Sequence, residues 1–391
     1  MDDSRLELFS RIFHTRPQIL SSAPGRINII GEHTDYNNGY VLPAAIHLRT
    51  CFLAAPRRDT RVRIWADDFQ QQEIFELEAI SPSEAYRWAN YVKGIFWVLK
   101  QDGHRLGGVD AIVWGEVPLE SGLSSSAALE VSVIKGLSSL FGIDLPGLSL
   151  AKLAQKAEND FVGVQCGLMD QFISVFGKKD SAVFLDCETM DFAILPLHLE
   201  KAGLKILVYD TRVRRELASS EYNRRRQEAA RALEVLRGKG VRSYKEATLE
   251  RLEEARPGMG DIPFQRARHV VTENERVRQA VEALRRDDFC LLGDLLFKSH
   301  QSLRDDYEVS CPELDLLHDV GRAFPGCLGA RLVGAGFGGS GIALLEKQTT
   351  EDFRKRMLAA AAEHGFPRPE FHEVDIGEGA SVSHLDRAES T

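Results

Sequence analysis

Apolar residues recur on one helical face from about Ala127 to Phe141, where Leu129, Val133, Leu137 and the Leu140-Phe141 pair follow one another at single-turn spacing. Leu150, Leu153, Ala154 and Ala157 predict the apolar face of a second helix, and the Ala/Glu/Arg-rich run from Glu221 to Leu236, closed by Gly238-Lys239-Gly240, predicts a third. The strand candidates are shorter and rich in β-branched and aromatic residues: Arg61 to Trp65, Ala111 to Trp114, Ala182 to Leu185 and Leu204 to Tyr209. Ile27-Asn28-Ile29-Ile30 half-alternates and reads as a short buried strand, after which Gly31 frees the backbone to turn. Helical and strand-like runs alternate along the chain without a repeat of solenoid length, so the expected class is α+β. A break after Lys201-Ala202-Gly203 places a boundary near residue 200, dividing the chain into domains 1–200 and 201–391.

Composition narrows this picture. With 391 residues and 43% hydrophobic content, the chain is long enough for a large core divided over two domains. A formal charge of -9 argues against nucleic acid or an anionic membrane surface as partner. Arg224-Arg225-Arg226 is the local exception and reads as a solvated helix face from which one arginine could reach inward. The six cysteines show no CxxC spacing and read as reduced, mostly buried thiols. The first residues, MDDSRLELFSRIF, lack the apolar core of a signal peptide, and the glycine-rich stretch from Leu332 to Leu345 is too short to span a bilayer. The expectation is a cytoplasmic, monomeric enzyme acting on small molecules.

Four constellations carry candidate chemistry. The run from Gly25 to Pro43 crowds Arg26, Glu32, His33 and Asp35 beside strand-like sequence. It reads either as a polar hairpin turning at Asn37-Asn38-Gly39 or as a site whose carboxylates and imidazole serve several hydroxyls at once. Glu120-Ser121-Gly122-Leu123-Ser124-Ser125-Ser126 leads directly into the first amphipathic helix. Unsatisfied N–H groups and the positive end of the dipole favour an anion there, although serine clusters also serve as ordinary N-caps. Glu158 falls on the apolar face of its helix, which makes it a salt-bridged core acid or a Mg²⁺ ligand. Asp170, beyond the loop Gly163 to Gly167, is a first-turn helix acid or a functional one. The fourth, Gly334 to Ser340, satisfies GxGxxG but runs into the strand-like Ile342-Ala343-Leu344-Leu345, where a dinucleotide fold needs a helix. P-loop, protein-kinase and HExxH motifs are absent from the sequence.

Together these blocks resemble the galactokinases of the GHMP small-molecule kinase superfamily. GRINIIGEHTDYNNGYVLP is similar to their sugar-binding signature, GLSSSAA (Gly122 to Ala128) to their nucleotide loop, Cys166 to Gln171 to their CGxMDQ segment, and Gly334 to Gly339 to their GAGFGG motif. Likeness continues through Ser220 to Arg225, Arg268 to Asn274 and Ser299 to Pro312, so it covers residues 20 to 345. The resemblance implies a two-domain GHMP kinase fold, with a ribosomal-protein-S5-like N-terminal domain, a ferredoxin-like C-terminal domain and the active site at their interface. It also implies ATP-dependent phosphorylation of the anomeric hydroxyl of galactose. Glu32, His33, Thr34, Asp35, Gly167 and Tyr222 would hold the sugar; the segment Glu120 to Ser126 would hold ATP; Ser126 and Glu158 would hold Mg²⁺; Asp170 would be the base and Arg26 its partner.

Two residues depart from the pattern. Glu120 stands where the family has Gly and is expected to face solvent, and Ala66 stands where relatives often have Ser near the nucleotide. Sister kinases for N-acetylgalactosamine or L-arabinose share these motifs. A silent galactose and ATP sensor is the other alternative, but such sensors lack the Ser-Ala pair that Ser126-Ala127 retains.

Overall fold

The computed structural model describes residues 3–119, 121–214 and 218–385. The first half runs α1 (Asp3–Phe13), β1 (Ile19–Asn28), β2 (Tyr40–Val41), β3 (Pro43–Pro56), β4 (Arg61–Ala66), β5 (Gln71–Glu76), α2 (Arg87–Gln101), β6 (Val109–Gly115), α3 (Ser125–Phe141), α4 (Gly147–Lys156), α5 (Met169–Phe176), β7 (Ser181–Asp186) and β8 (Phe192–Pro196). The second runs β9 (Leu204–Asp210), α6 (Ala218–Gly238), α7 (Leu249–Ala255), α8 (Asp261–Arg285), α9 (Phe289–Asp305), α10 (Pro312–Ala323), β10 (Cys327–Val333), β11 (Ser340–Glu346), α11 (Thr350–Glu363), β12 (Glu370–Val374) and β13 (Ser381–His384).

Three sheets organise these elements: a six-stranded sheet ordered β13-β1-β3-β6-β4-β5, a four-stranded sheet ordered β10-β11-β9-β12, and a small β2-β7-β8 sheet. Helices α2, α3 and α4 cover one face of the first sheet, burying Phe52, Phe96, Val131 and Leu137 in one cluster, while α1 seats Phe9 and Phe13 on the other face. Ile27, Ile29 and Leu123 from the first half share a continuous core with Val208, Val277 and Ile342 from the second, so the halves are fused by burial at the site. The last strand, β13, returns to pair with β1, so the C-terminal segment completes the first sheet. Among the described residues no helix is long and apolar enough to cross a membrane.

Two local departures from the sequence pattern position the chemistry. The strand expected at Ile27 begins eight residues earlier in the chain, at Ile19, because Ser21 to Pro24 lack the β-branched signature yet pair with β3. Its ladder slips between Pro24 and Arg26, where proline offers no N–H and a Cβ on Gly25 would stand 2.7 Å from the Leu123 carbonyl. Arg26 therefore lies inside the strand and donates its backbone N–H to Leu123. The second departure ends α4. Instead of continuing as α-helix, Ala157–Val162 widens into a π turn that closes when Gly163, at φ +90°, donates its N–H to the Glu158 carbonyl.

Candidate active site

A cavity of about 400 Å³ opens between the halves, lined by Arg26, the loop from Glu32 to Tyr36, the loop from Gly163 to Gly167, Asp170, Tyr222 and the Gly334-Ala335 turn. Asp170 enters it from the first turn of α5 with its side chain 27% exposed. Arg26 grips it bidentately, Nε to Oδ1 and Nη2 to Oδ2, both at 2.8 Å, a geometry that fixes the carboxylate plane. The same guanidinium donates Nη1–H to the Gly122 carbonyl at 2.5 Å, and the Ser124 hydroxyl donates to Asp170 Oδ2. Asp170 is thus tied to the serine loop twice, leaving lone-pair capacity on Oδ1.

The Gly25 to Pro43 block is a largely buried turn rather than an exposed hairpin. Gly31, at φ +104°, donates its N–H to Glu273 on α8, and the Glu32 carbonyl faces His269 Nε2 at 3.0 Å. Glu32 is nearly inaccessible: Oε1 accepts from the Gly334 N–H at 2.7 Å and lies 3.3 Å from Arg331, while Oε2 accepts from Asn28. Burial raises its pKa, opposed by Arg331 and Arg26. One lone pair on Oε2 remains for a ligand, so Glu32 clamps the halves as much as it faces the cavity. His33 lies among Tyr36, Tyr222 and Tyr307, and burial pushes its pKa down to about 3. Asp35 packs so tightly on Gly167 that a Cβ there would sit 1.7 Å from Oδ2. Burial and then the Asp170 charge raise its carboxyl to about 7. Thr34, expected at the sugar, is fully buried and serves the turn, its hydroxyl lying 2.7 Å from both the Gly31 and Tyr40 carbonyls.

The serine loop divides its labour in a way its sequence does not announce. Ser121 is buried and donates to the Pro118 carbonyl, Leu123 belongs to the core, and Gly122 packs on Gly334. Ser124, at φ +62°, turns to Asp170. Of the described loop residues, Ser125 and Ser126 line a second cavity, of about 820 Å³, and none lines the first. Glu120 lies outside the described residues. Ala66 does border this cavity, together with Phe69, Tyr86 and Trp88, which the sequence reading missed. Phe69 lies in the turn between β4 and β5 and Tyr86 and Trp88 at the start of α2, so no local spacing could have joined the two segments. Trp88 and Phe69 lie near-parallel with centroids 6.3 Å apart, and the Trp88 indole N–H donates to Gln71.

Glu158 has no ion-pair partner among the described residues, so the salt-bridge alternative gives way to neutral partners: Gln171 Nε2 at 2.6 Å and the Cys166 thiol at 3.3 Å. Ser126 also bonds to it. Gln171 reaches a second carboxylate, Glu130, which the sequence reading did not single out. Burial, and then Glu158, hold the Glu130 pKa well up, and its Oε1 has no partner. Among the described residues no three His, Cys, Asp or Glu side chains gather as a ready metal site. A carboxylate with no cationic partner, sharing Gln171 with a second buried acid and standing beside a hydroxyl, is nonetheless part of the oxygen-only donor set of a Mg²⁺ ion that keeps waters and phosphate oxygens as its other ligands. Of the arginine run, Arg225 does reach inward, donating to the Tyr307 and Glu308 carbonyls, while Arg226 donates to the Gln165 carbonyl. None of the six cysteines forms a disulfide; Cys187 and Cys311 are buried, three are half-buried and Cys290 is exposed, so fewer are buried than the sequence suggests.

The chain is similar along its length to proteins of known family. The galactokinase galactose-binding signature matches residues 7–56, the GHMP kinases N terminal domain residues 90–178 and the GHMP kinases C terminal domain residues 280–364. Galactokinase of Roseiflexus sp. (strain RS-1) is 42% identical over 356 residues, covering 90% of each chain. That of Thermotoga maritima is 44% identical over 357 residues, 91% of this chain and 98% of its own. The crystal structure of Lactococcus lactis galactokinase complexed with galactose superposes with a TM-score of 0.92 at 38% identity, covering 97% of this chain and 99% of that one. A mevalonate kinase crystal structure, at 17% identity and a TM-score of 0.65, shares the fold. The chain belongs to the galactokinase family of GHMP kinases.

Proposed function

We infer that the protein transfers the γ-phosphoryl group of ATP to the anomeric hydroxyl of α-D-galactose, giving α-D-galactose 1-phosphate and ADP. The observation that carries this reading is the double tie of Asp170, by Arg26 and Ser124, to the loop whose last two serines line the second cavity. A hydroxyl in the first cavity meets a phosphate at the α3 N-terminus beside a carboxylate already oriented for it. Phosphoryl transfer asks for in-line placement and charge stabilisation more than covalent chemistry, and the residues divide that work. Asp35, His33, Tyr222 and the remaining acceptor on Glu32 hold the sugar against Gly167. Ser125, Ser126 and the first N–H groups of α3 receive phosphate oxygens, favoured by the helix dipole. Asp170 orients the anomeric hydroxyl and accepts its proton; Arg26 keeps the carboxylate in place and stabilises negative charge as it develops. Ser126 and Glu158 would hold Mg²⁺, which supplies neutralisation of the phosphate charge.

A monomer in the cytoplasm is the working reading, and six cysteines without a disulfide among them suit a reducing compartment. The division near residue 200 separates the serine loop from α6 and the glycine turn, so the site lies across it. ADP release measured side by side with galactose, N-acetylgalactosamine, L-arabinose and glucose tests the assignment. Galactose should dominate kcat/KM, and a preference for another sugar, or binding of both ligands without ADP, would overturn it.

A further inference from the structure

We propose that Gln171 and Glu130 are positioning residues for Glu158, engaging its Oε2 within the protein so that Oε1 is the oxygen presented to the divalent cation, an arrangement that selects Mg²⁺ over Ca²⁺. The inference rests on the reading of Glu158 as a Mg²⁺ ligand and says how that ligand is aimed.

Three elements meet here. Glu158 stands in the π turn that ends α4, its carbonyl accepting the N–H groups of Gly163 and Val164, and the residue is only 5% exposed. Gln171 follows Asp170 on the first turn of α5, so adjacent positions of one helix give a carboxylate to the first cavity and an amide to the interior. Glu130 lies four residues beyond Ser126 on α3, the spacing that stacks two side chains on one helix face. Gln171 and Glu130 are fully buried, and neither lines either cavity. They can act on a ligand only through Glu158.

Gln171 Nε2 donates to Glu158 Oε2 at 2.6 Å and to Glu130 Oε2 at 3.1 Å, so one amide nitrogen gives a proton to each acid. Turned over, the amide would face the Glu158 carboxylate with its oxygen, an acceptor against an acceptor. The Cys166 thiol brings a second donor to the same oxygen of Glu158, at 3.3 Å, and also stands 3.4 Å from Asn159 Oδ1. Both donors therefore converge on Oε2, and the carboxylate has Oε1 left to give a cation. The cluster does not satisfy all its own polar atoms: Gln171 Oε1 and Glu130 Oε1 are buried without a hydrogen-bond partner. Two unpaired buried acceptors cost stability, and their cost is accounted for by the hold that the cluster keeps on Glu158. Ca²⁺ gathers roughly six to eight oxygens and readily takes a carboxylate by both, whereas Mg²⁺ demands a compact octahedron and few carboxylate oxygens. A carboxylate with one oxygen already engaged suits the smaller ion.

The test measures cation binding rather than turnover. Mn²⁺, followed by its EPR signal, is titrated into the enzyme–ADP complex and displaced by Mg²⁺ or Ca²⁺; the affinity of ADP itself for each cation is common to all variants. Gln171→Met keeps the length and removes both N–H groups. It should weaken Mg²⁺ about tenfold and leave Ca²⁺ within about twofold, because the released carboxylate can offer both oxygens. Glu130→Met should shift the ratio the same way by less, whereas Glu130→Gln, which keeps an acceptor for Gln171, should restore it. A loosened fold weakens both cations alike, so equal losses, or an unchanged ratio, in Gln171→Met overturn the positioning. If the methionine variants do not fold, Cys166→Ala at its half-buried position decides: the ratio should move toward Ca²⁺, and an unmoved ratio overturns the proposal. Glu158→Gln separates the two readings. If it leaves Mn²⁺ binding as it was, Glu158 is no ligand and the Mg²⁺ assignment falls with the inference; if it weakens binding while Gln171→Met alters neither cation, the positioning alone falls.

Discussion

Asp170 in the first cavity is tied to the serine loop that edges the second, yet the two cavities are built by opposite means. On the sugar side each polar side chain is held by another before a ligand arrives: Asp170 by Arg26, Glu32 by the Gly334 N–H and Arg331, His33 by Tyr36. On the nucleotide side Phe69 and Trp88 offer flat faces, and Ser125 and Ser126 stand beside them at the N-terminus of α3. Preorganised polar groups punish a ligand that lacks the matching hydroxyl, because they are left buried and unpaired. Aromatic faces and backbone donors tolerate variation, since they ask only for a flat ring and negative charge. Small atomic changes should therefore cost far more on the sugar side.

The largest effect is expected at Asp170. Asp170→Asn keeps the shape and removes the base, so kcat should fall by roughly 10²–10⁴-fold. Galactose affinity should stay within about tenfold, a difference of about 1.4 kcal/mol, because the sugar contacts are elsewhere. Arg26→Ala should also act on kcat, since it frees the carboxylate and unties the Gly122 carbonyl. A change in KM alone in either variant would move these residues out of the chemistry. Gly167→Ala comes next. Its Cβ would overlap the Asp35 carboxylate, which must retreat by about an ångström or more, so kcat/KM for galactose should drop about 10²-fold while ATP KM holds. A variant with unaltered galactose kinetics would show that Asp35 has room to spare.

What could be read along the chain was what the chain itself keeps together. Glu32, His33 and Asp35 lie within four positions, and Asp170 sits on the first turn of a helix, so their proximity is nearly covalent. Glu130, Tyr307 and Asn37 escaped because each looks locally ordinary: a helix acid, a tyrosine near a helix end, a turn asparagine. Only the packing of α3 on α5, and of the segment after α9 on Tyr36, gives Glu130 and Tyr307 partners, while Asn37 holds the His33 carbonyl within its own turn. The π turn at Ala157–Val162 was invisible for a related reason, since its apolar spacing up to Ala157 is that of an α-helix and the widening follows from how the chain closes at Gly163. Conversely, the sequence counted every serine of the loop as a nucleotide contact, whereas the left-handed backbone at Ser124 aims its hydroxyl at the other cavity.

That division gives the nucleotide side its own test. Trp88→Ala removes an indole face from the second cavity, and base stacking on an aromatic ring contributes about 1–3 kcal/mol. ATP KM should rise about tenfold or somewhat more, with galactose KM unchanged. A parallel rise in both constants, measured in the same initial-rate matrix, would mean the cavities are coupled rather than separately built.

The smallest effect, and the one that probes the cost of the sugar side's preorganisation, concerns pH. Asp35 is raised to about 7 by burial first and by the Asp170 charge second, with Glu32 adding and the Tyr36 N–H and Arg26 opposing. Its folded pKa lies above the ordinary carboxylate value, so the stability it contributes is fully present below about pH 4 and is lost as pH climbs toward 7. Asp35→Asn should therefore flatten the fall in melting temperature over that window. Binding runs the other way. Sugar hydroxyls donate to an ionised carboxylate, and the competent fraction rises from about a tenth at pH 6 to about nine tenths at pH 8, so galactose KM should fall by up to about tenfold across that range. The asparagine variant should show a higher KM with no such slope. A slope that survives the substitution would assign the titration to another group and leave Asp35 ionised throughout, which would require the Arg26 and Tyr36 contributions to outweigh burial.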